Sequence, residues 1–374
     1  MLVLGIMSGT SLDGVDYALC AVGARGVKLR AMWSAPFPKA LHARLHSAAR
    51  GEAASWETGQ LHHDLGRFYA AHADKFPRAM KPDLVGLHGQ TVFHNPDAKS
   101  PATLQLGEPS YLAETLRVPV VSNFRAADIA AGGQGAPLAT LFHQTAFAKR
   151  GEHVCVNNLG GVSNVTSLDW RRQSRIQPRV LAFDTGPANV LMDMAVRHFT
   201  KGAQRFDDGG EWARRGGAHL PTLKQWLAHE FLHRAPPKST GRELFGEPFF
   251  GRAIAQLEAA GAGRFDVVAT FTAFTAASIA LNYWQHLPAP PDRVVLTGGG
   301  AANVVLVQAI RAQLSRIHGS VEVTTCAKLG WPLQSIEPAA FALLAWQRWN
   351  ELPGNLPRTT GARRAVLCGQ VTMP

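Results

Sequence analysis

Short apolar runs alternate along the chain with longer segments in which apolar residues recur at helical spacing. The short runs are bounded by Gly, Ser, Asn and Pro, which predicts strands that end in turns. They cover residues 2–7, 15–22, 84–87, 118–121, 154–156, 164–168, 180–183 and 294–297. The helical segments cover residues 42–71, 109–116, 137–149, 189–199, 220–232, 271–284 and 337–349. This alternation predicts an α/β fold with a parallel or mixed sheet covered by helices.

One layout occurs twice: an apolar run, a turn rich in Gly, Ser and Asn, and a second apolar run. The first copy has its turn at residues 8–14 and the second at residues 157–163. Because a strand follows each turn, both copies predict β-hairpins, and their likeness predicts an internal duplication. We predict two similar lobes around a ligand cleft, formed by residues 1–131 and 132–357. Residues 358–374 are expected to pack back on the first lobe.

The chain is basic, with 38 Lys and Arg against 27 Asp and Glu and a formal charge of +11. The basic residues are scattered, without a run of five and without interleaved aromatic residues. The charge therefore predicts a solvated basic surface rather than nucleic-acid binding.

Cysteine usage and the uncharged segments predict a cytoplasmic protein. The four cysteines lie far apart and form no CxxC pair, which predicts buried thiols rather than disulfides or a zinc site. The N-terminus lacks the basic region of a signal peptide. Residues 267–291 carry no charged side chain, but Thr, Ser and Asn interrupt them. This segment therefore predicts a buried helix rather than a membrane span.

The first glycine-rich turn is a candidate phosphate-binding site. Glycines let the backbone approach a nucleotide closely, and backbone N–H groups and small hydroxyls can hold phosphate oxygens. An ordinary hairpin turn uses the same residue types, and no GxxxxGK[ST] sequence is present. The predicted nucleotide contacts are Gly9, Thr10, Ser11, Leu12, Asp13, Gly14, Val15 and Asp16, with Asp13 as a Mg²⁺ ligand.

Two further glycine groups are candidates for contact with the nucleotide. Gly298, Gly299 and Gly300 end a predicted strand, where a flat backbone surface could carry a base or ribose. A plain strand-to-helix turn is the alternative. Gly160 and Gly161 occupy the turn of the second hairpin, which the duplication predicts to face the same ligand.

Asp184 follows an apolar strand and precedes a Gly-Pro turn that opens a helix. A carboxylate at the carboxyl end of a strand points into the crevice where α/β proteins bind ligands, and it can accept a proton. The alternative is helix capping, for which Asp is well suited, although Thr185 lies closer to the helix.

Polar side chains after two other predicted strands are candidates for binding an acceptor substrate. Gln90 and Thr91 follow one strand, and Arg125 and Asp128 follow another. The planar guanidinium of Arg125 could grip a carboxylate. Each of these side chains could equally be a satisfied loop residue.

Taken together, these motifs resemble the anhydro-N-acetylmuramic acid kinases. The resemblance keeps its order over nearly the whole chain, through residues 5–16, 88–91, 124–128, 131–137, 159–165, 183–187, 237–243, 297–300 and 352–355. It implies an actin-like, ribonuclease H-like fold of two duplicated lobes that uses ATP and Mg²⁺. Ala188 stands where this family often has Gly.

The resemblance implies that ATP and water react with 1,6-anhydro-N-acetylmuramic acid, giving N-acetylmuramic acid 6-phosphate and ADP in peptidoglycan recycling. It makes Asp184 the general base, Arg125 a candidate for the lactyl carboxylate, and Glu337 a candidate for the sugar hydroxyls or amide. We expect a small sugar as the partner, no nucleic acid and no membrane, and we allow for a homodimer.

Two other functions stay open from the sequence alone. One is a kinase of the same fold that acts on an intact hydroxyl of another sugar or small metabolite. The other is a nucleotide-driven conformational switch without chemistry on a sugar. The presence of a proton acceptor at Asp184 favours an enzyme over the switch.

Overall fold

The computed structural model describes residues 1–9, 12–77, 79–96, 99–172 and 176–374, without the side chains of residues 242 and 318. The chain divides into two compact units. The first contains Met1–Ala146 and Gln334–Pro374, and the second contains Phe147–Leu333. Each unit has one main sheet with helices packed around it, which confirms the predicted α/β class.

The strands of both units are numbered in chain order. They are β1 (Leu2–Ser8), β2 (Gly14–Gly23), β3 (Gly26–Pro36), β4 (Leu84–Asn95), β5 (Ala102–Leu106), β6 (Val120–Ser122), β7 (His153–Leu159), β8 (Val162–Asp169), β9 (Arg179–Pro187), β10 (Arg293–Thr297), β11 (Glu322–Thr325) and β12 (Gln370–Thr372).

The helices are numbered in the same way. They are α1 (Lys39–Ala49), α2 (Ser55–Ala71), α3 (Ser110–Leu116), α4 (Ala126–Ala130), α5 (Thr140–Phe147), α6 (Asn189–Phe199), α7 (Glu211–Arg215), α8 (Leu220–Leu227), α9 (Glu230–His233), α10 (Arg242–Phe245), α11 (Glu247–Ala259), α12 (Arg264–His286), α13 (Val304–His318), α14 (Ile336–Trp349) and α15 (Pro357–Thr360). Short 3-10 helices lie at Asp208–Gly210, Gly299–Ala302, Cys326–Leu329 and Leu333–Ser335.

The two sheets share one topology. The first has the order β3-β2-β1-β4-β6, and the second has the order β9-β8-β7-β10-β11. In each, the three strands of the double hairpin are antiparallel and the remaining neighbours are parallel. The first sheet also carries β5 beside β4 and β12 beside β6. The shared order and direction confirm the predicted duplication and the predicted mixed sheets.

The compact units are bounded differently from the predicted lobes. Residues 132–146 and 334–357 belong to the first unit, whereas the sequence placed both segments in the second lobe. For residues 334–357 the physical reason is the docking of α14 against β1, β2 and β4, which the helix's own sequence does not specify. A Cβ added at Gly5 of β1 would lie 1.8 Å from the carbonyl oxygen of Pro338, so the two backbones nearly touch.

Several elements differ from the sequence prediction in extent. The helical segment 42–71 is two helices, interrupted by a turn in which Gly51 has a φ of 72°. The strand predicted at residues 84–87 continues to Asn95, because it pairs with β5. The half-exposed strand β3 was not predicted, since its mixed polar and apolar residues give no apolar run.

The uncharged segment forms most of α12, as predicted for a buried helix. This helix is long and apolar enough to span a bilayer, but 72% of its most apolar stretch is buried within the fold. Two of its threonines are satisfied inside the helix: Thr270 and Thr272 donate to the carbonyl oxygens of Asp266 and Val268, at 2.6 and 2.9 Å. The four cysteines are free and buried, which confirms that prediction too.

Candidate active site

Asp184 lies inside β9 at a β-bulge, rather than after the end of the strand. In the pairing of β8 with β9, Asn164 lies opposite Asp184 and Ser163 lies opposite Gly186. Within this described pair of strands, Thr185 therefore has no residue opposite it. A bulge bends a strand and re-aims the side chains beside it. Thr185 is held there because its hydroxyl donates to the Ser163 hydroxyl at 2.7 Å.

Asp184 does not cap the helix that follows it. The N-cap position of α6 is Ala188, and no side chain among the described residues caps that helix end. The capping alternative is therefore wrong for Asp184, and Thr185 does not take that role either. Ala188 has a φ of −118°, a value that any residue adopts, so its methyl group adds no left-handed strain.

Asp184 is hydrogen-bonded on two sides by one segment of the second unit. Its backbone N–H donates to the carbonyl oxygen of Lys238 at 3.1 Å, and the Thr240 N–H donates to its Oδ2 at 2.8 Å. Burial raises the pKa of the Asp184 carboxyl to about 6, the Thr240 N–H lowers it, the Glu243 charge raises it and the Lys238 charge lowers it. A carboxylate with this pKa is ionised at neutral pH and is more basic than usual, as a general base requires.

The glycines of the second hairpin hold the start of α6. The Gly160 carbonyl accepts from the N–H of Asn189 at 3.0 Å, and the Gly161 carbonyl accepts from the N–H groups of Ala188 and Val190 at 2.9 and 3.2 Å. Their carbonyls are therefore committed to the helix that follows the Asp184 strand.

The three glycines after β10 are not equivalent. A Cβ added at Gly298 would lie 2.3 Å from Oδ1 of Asn158, and one at Gly300 would lie 2.7 Å from Oδ1 of Asn189. Close packing therefore requires both of these glycines. Gly299 is exposed, with no atom of the described chain within 4 Å of an added Cβ, and it is the member of the three with an open face for a ligand.

The turn between β1 and β2 is tied to β4 by the Gln90 amide. Gln90 is fully buried, and its Nε2 donates to the carbonyl oxygen of Gly9 at 3.0 Å. The buried Leu12 closes the turn with a φ of 59° and an N–H donated to the same carbonyl at 3.3 Å. Thr10 and Ser11, two of the predicted nucleotide contacts, lie outside the described residues.

Gly14 and Val15 belong to β2 rather than to the turn. The Val15 side chain is in the core, and a Cβ added at Gly14 would lie 2.7 Å from the carbonyl oxygen of Ala35. Both residues therefore shape the base of the turn: Gly14 has no side chain, and that of Val15 is buried.

The surrounding protein and neighbouring acids raise the pKa values of two carboxyl groups in the first unit, Asp16 and Glu337. Burial raises the pKa of Asp16, the hydroxyl of Ser34 donates to that carboxyl and lowers it, and the charge of Asp13 raises it. Asp13 itself is exposed. Glu337 lies in the first turn of α14, where solvent reaches it. The protein packed around this carboxyl raises its pKa, the charge of Arg125 lowers it, and the charge of Asp16 raises it.

Arg125 is oriented by a buried histidine. Its Nε and Nη2 donate to Nε2 of His88 at 3.1 and 2.8 Å, and its Nη1 donates to the carbonyl oxygen of Gly135 at 2.7 Å. His88 therefore accepts through Nε2 and carries its proton on Nδ1, and burial lowers its pKa well below the usual value. These bonds leave two of the five guanidinium N–H groups of Arg125 for another partner.

The side chains of Asp128 and Thr91 both form hydrogen bonds with other residues of the protein. The fully buried Asp128 accepts from the Gly135 N–H at 2.8 Å, from Asn355 Nδ2 at 2.6 Å and from the Thr360 hydroxyl at 2.7 Å. Its carboxylate thus joins the loop after α4 to the C-terminal segment. The Thr91 hydroxyl accepts from Gln105 Nε2 at 3.2 Å.

A metal site made of protein ligands alone is not found in the part of the chain that the structure describes. No group of three or more His, Cys, Asp or Glu side chains there is placed to hold a metal ion. Mg²⁺ bound to a nucleotide commonly uses only one or two carboxylates together with phosphate oxygens and water. The exposed Asp13 carboxylate fits that second arrangement.

The sequence profile of the family described as anhydro-N-acetylmuramic acid kinase matches residues 1–374. The chain belongs to this family. The family prediction made from the motifs is therefore confirmed, together with the predicted class of enzyme, an ATP-dependent sugar kinase.

Similar full-length relatives support the assignment. The anhydro-N-acetylmuramic acid kinase of Crocosphaera subtropica is 38% identical, over 100% of this chain and 99% of the relative. The enzyme of the same name from Acaryochloris marina is 40% identical, over 99% of both chains. Among solved structures, an activator of 2-hydroxyisocaproyl-CoA dehydratase from Clostridium difficile covers 94% of this chain and 96% of its own at 12% identity, with a TM-score of 0.44. That likeness is too slight to bear on function.

Sequence reasoning missed three residues that support the candidate site. Lys238 and Thr240 contact Asp184 from a distant segment, and His88 holds Arg125. Segments 237–243 and 88–91 were part of the family resemblance, but neither a strand pattern nor a glycine spacing indicated which residue each would contact.

Proposed function

We propose that this chain uses ATP and water to open 1,6-anhydro-N-acetylmuramic acid and to phosphorylate its O6, giving N-acetylmuramic acid 6-phosphate and ADP. Family membership over the whole chain supports the substrate. The observation that carries the chemistry is the Asp184 carboxyl, held at a bulge by the Thr240 N–H with its pKa raised by burial to about 6. We further propose that the enzyme acts in the cytoplasm, in peptidoglycan recycling.

Asp184 acts as the proton acceptor for the attacking water. The water oxygen forms a bond to C1 of the sugar while the bond from C1 to the bridging oxygen breaks, and the water proton passes to Asp184. The bridging oxygen stays on C6 and forms a bond to the γ-phosphorus as the bond to the ADP oxygen breaks. One carboxylate therefore supports both the opening of the bridge and the phosphoryl transfer.

Arg125 and Glu337 are proposed to bind the sugar. His88 and the Gly135 carbonyl fix three N–H groups of Arg125, so the remaining two keep one direction and suit a carboxylate such as the lactyl group. Glu337 presents a solvent-accessible acceptor for sugar hydroxyls or the amide. Gln90 and Asp128 are proposed to hold the surrounding loops, and Thr91 remains a candidate contact.

The nucleotide is proposed to contact the turn at residues 9–16 and the open face of Gly299. Gly160 and Gly161, with Gly298 and Gly300, give the surface around Gly299 its backbone shape. Asp13 would hold Mg²⁺, which supplies charge neutralisation to the phosphates when it is bound. Backbone N–H groups of the turn would bind the phosphate oxygens.

The contribution of Gly299 can be tested without disturbing the fold. Gly299→Val puts a side chain into open space, so we expect unchanged thermal stability and a KM for ATP raised roughly 10-fold, since a blocked contact of about 1.4 kcal/mol gives that factor. Gly251→Ala is the control, because no atom of the described chain lies within 4 Å of an added Cβ there and the residue belongs to α11. An ATP KM unchanged in the Gly299 variant would remove this glycine from the nucleotide site.

The function itself is tested with the anhydro sugar, ATP and Mg²⁺ in oxygen-18-labelled water. We expect a 6-phosphate product with the label on the C1 hydroxyl and none in the phosphate. Phosphorylation of a reducing sugar instead, without activity on the anhydro sugar, would support an ordinary sugar kinase of the same fold. Absence of any phosphorylated sugar would contradict the proposed function.

A further inference from the structure

Lys238 is a buried cation that is held by neutral groups. Its side chain is 6% exposed, and its Nζ donates to the carbonyl oxygens of Phe231 and Leu232 at 3.1 and 3.0 Å. Nε2 of His286 lies 3.4 Å from the same nitrogen. No carboxylate lies within 4 Å of this ammonium among the described residues. Burying a charge with neutral partners alone is costly, so the position calls for an explanation.

The backbone of Lys238 provides one explanation, because it lies against Asp184. The Lys238 carbonyl accepts from the Asp184 N–H at 3.1 Å, and two residues later the Thr240 N–H donates to the Asp184 carboxylate at 2.8 Å. The Lys238 side chain is bonded instead to the end of α9. The lysine side chain therefore anchors this segment, so that its backbone stays against β9.

Two aromatic rings also help to hold the Lys238 ammonium in place. The ammonium lies 4.9 Å from the ring centroid of Phe231 and 5.9 Å from that of Phe183, the residue before Asp184. Such distances allow cation–π attraction. The positive charge is therefore kept near the carboxylate without neutralising it through a direct contact.

We propose that Lys238 is a positioning residue for the proton acceptor: its amine fixes the segment that hydrogen-bonds Asp184 on both sides and keeps a positive charge near that carboxylate. This inference rests on the proposed role of Asp184 as the base. A methionine would fill similar space but would supply neither the hydrogen bonds to the α9 carbonyls nor the positive charge.

The charged groups around Asp184 and Lys238 determine the direction in which each pKa shifts. Burial raises the pKa of Asp184, Glu243 raises it further, and Lys238 opposes them. Burial lowers the pKa of Lys238 to about 8, Arg234 lowers it and Asp184 raises it, so the amine is mostly protonated at neutral pH. His286, which faces the amine from α12, has its own pKa lowered by burial and by Lys238.

The test compares the pH dependence of kcat/KM for the anhydro sugar in Lys238→Met and Glu243→Gln. The acid limb of this pH profile is expected near pH 6 in the unmodified enzyme, because the pKa of Asp184 is about 6. It should move up by on the order of one pH unit in Lys238→Met and down in Glu243→Gln. Lys238→Arg, which keeps the charge, should restore the limb even if its turnover is lower. A Lys238→Met enzyme with reduced turnover and an unmoved limb would leave Lys238 a purely structural role and overturn the proposal.

A second measurement covers the case in which Lys238→Met does not fold. In protein labelled with carbon-13 at lysine Cε, the Lys238 resonance is assigned by its loss in Lys238→Arg and titrated with and without Asp184→Asn. Loss of the Asp184 charge should lower the Lys238 midpoint, and equal midpoints would overturn the proposal. This titration needs no turnover, so failure of the proposed function and failure of this inference give different results.

Discussion

Replacing Asp184 with Asn is expected to lower kcat by about 10²–10⁴-fold and to leave the affinity for ATP close to that of the unmodified enzyme. Asn has nearly the same shape as Asp, and its oxygen can still accept from the Thr240 N–H at the site of the present 2.8 Å bond. The substitution therefore removes the proton acceptor and little else. Single-turnover measurement of sugar phosphate, with ATP binding measured separately, checks both halves of the expectation.

The stability of the same variant serves as its control. The folded pKa of Asp184 is about 6, above the ordinary aspartate pKa of 3.8, so ionising this group opposes folding as the pH rises through this range. Asn carries no such penalty, and the variant should match the unmodified enzyme at a pH well below 3.8 and exceed it above pH 6 by on the order of 3 kcal/mol. Near-normal turnover in a stable Asp184→Asn protein would contradict the mechanism.

Local patterns are sufficient to predict the two hairpins and to single out Asp184. Each hairpin has an apolar run on either side of a polar turn, and this pattern can be seen in neighbouring residues of the sequence. The sequence placed Asp184 beyond the strand because Gly186 and Pro187 are typical turn residues. In the structure the strand continues, since Pro187 pairs with Val162 and the bulge at Thr185 absorbs the irregularity.

The environment of Asp184 could not be predicted in the same way. Thr240 lies 56 residues further along the chain, and only the tertiary structure brings its N–H to the carboxylate. A lysine is expected at the surface, and nothing next to Lys238 in the sequence shows that its amine is buried. Interactions of this kind depend on tertiary structure, and they set the pKa of the proposed base.

The position of α14 is a further example of non-local information. The sequence predicts its helical pattern, but the predicted second lobe differs from the unit in which the helix packs. One signal is present in the strands themselves: Gly5 and Gly86 interrupt apolar runs, and a strand glycine often marks a close approach of another backbone. Pro338 and Phe341 of α14 make that approach.

Replacing Gly5 with Ala is expected to destabilise the first unit by about 3–5 kcal/mol. The added Cβ would lie 1.8 Å from the carbonyl oxygen of Pro338 and 2.8 Å from the backbone nitrogen of Ala342. Because these are helix backbone atoms, no rotamer change can relieve the overlap, and α14 must move away from β1. Glu337 precedes Pro338 on this helix, so the KM for the sugar should rise as well. Urea unfolding followed by circular dichroism measures the first effect, and steady-state kinetics on the folded fraction measures the second.

Gly23→Ala is the matched control, since Gly23 lies in the same sheet and no atom of the described chain is within 4 Å of its added Cβ. Its free energy of unfolding should stay within about 0.5 kcal/mol of the unmodified value. The difference between the two variants isolates the docking of α14 from the general cost of adding a methyl group to a strand glycine. Equal stabilities would mean that α14 does not lie against β1 in solution. Glu337 would then have no fixed position from which to bind the sugar.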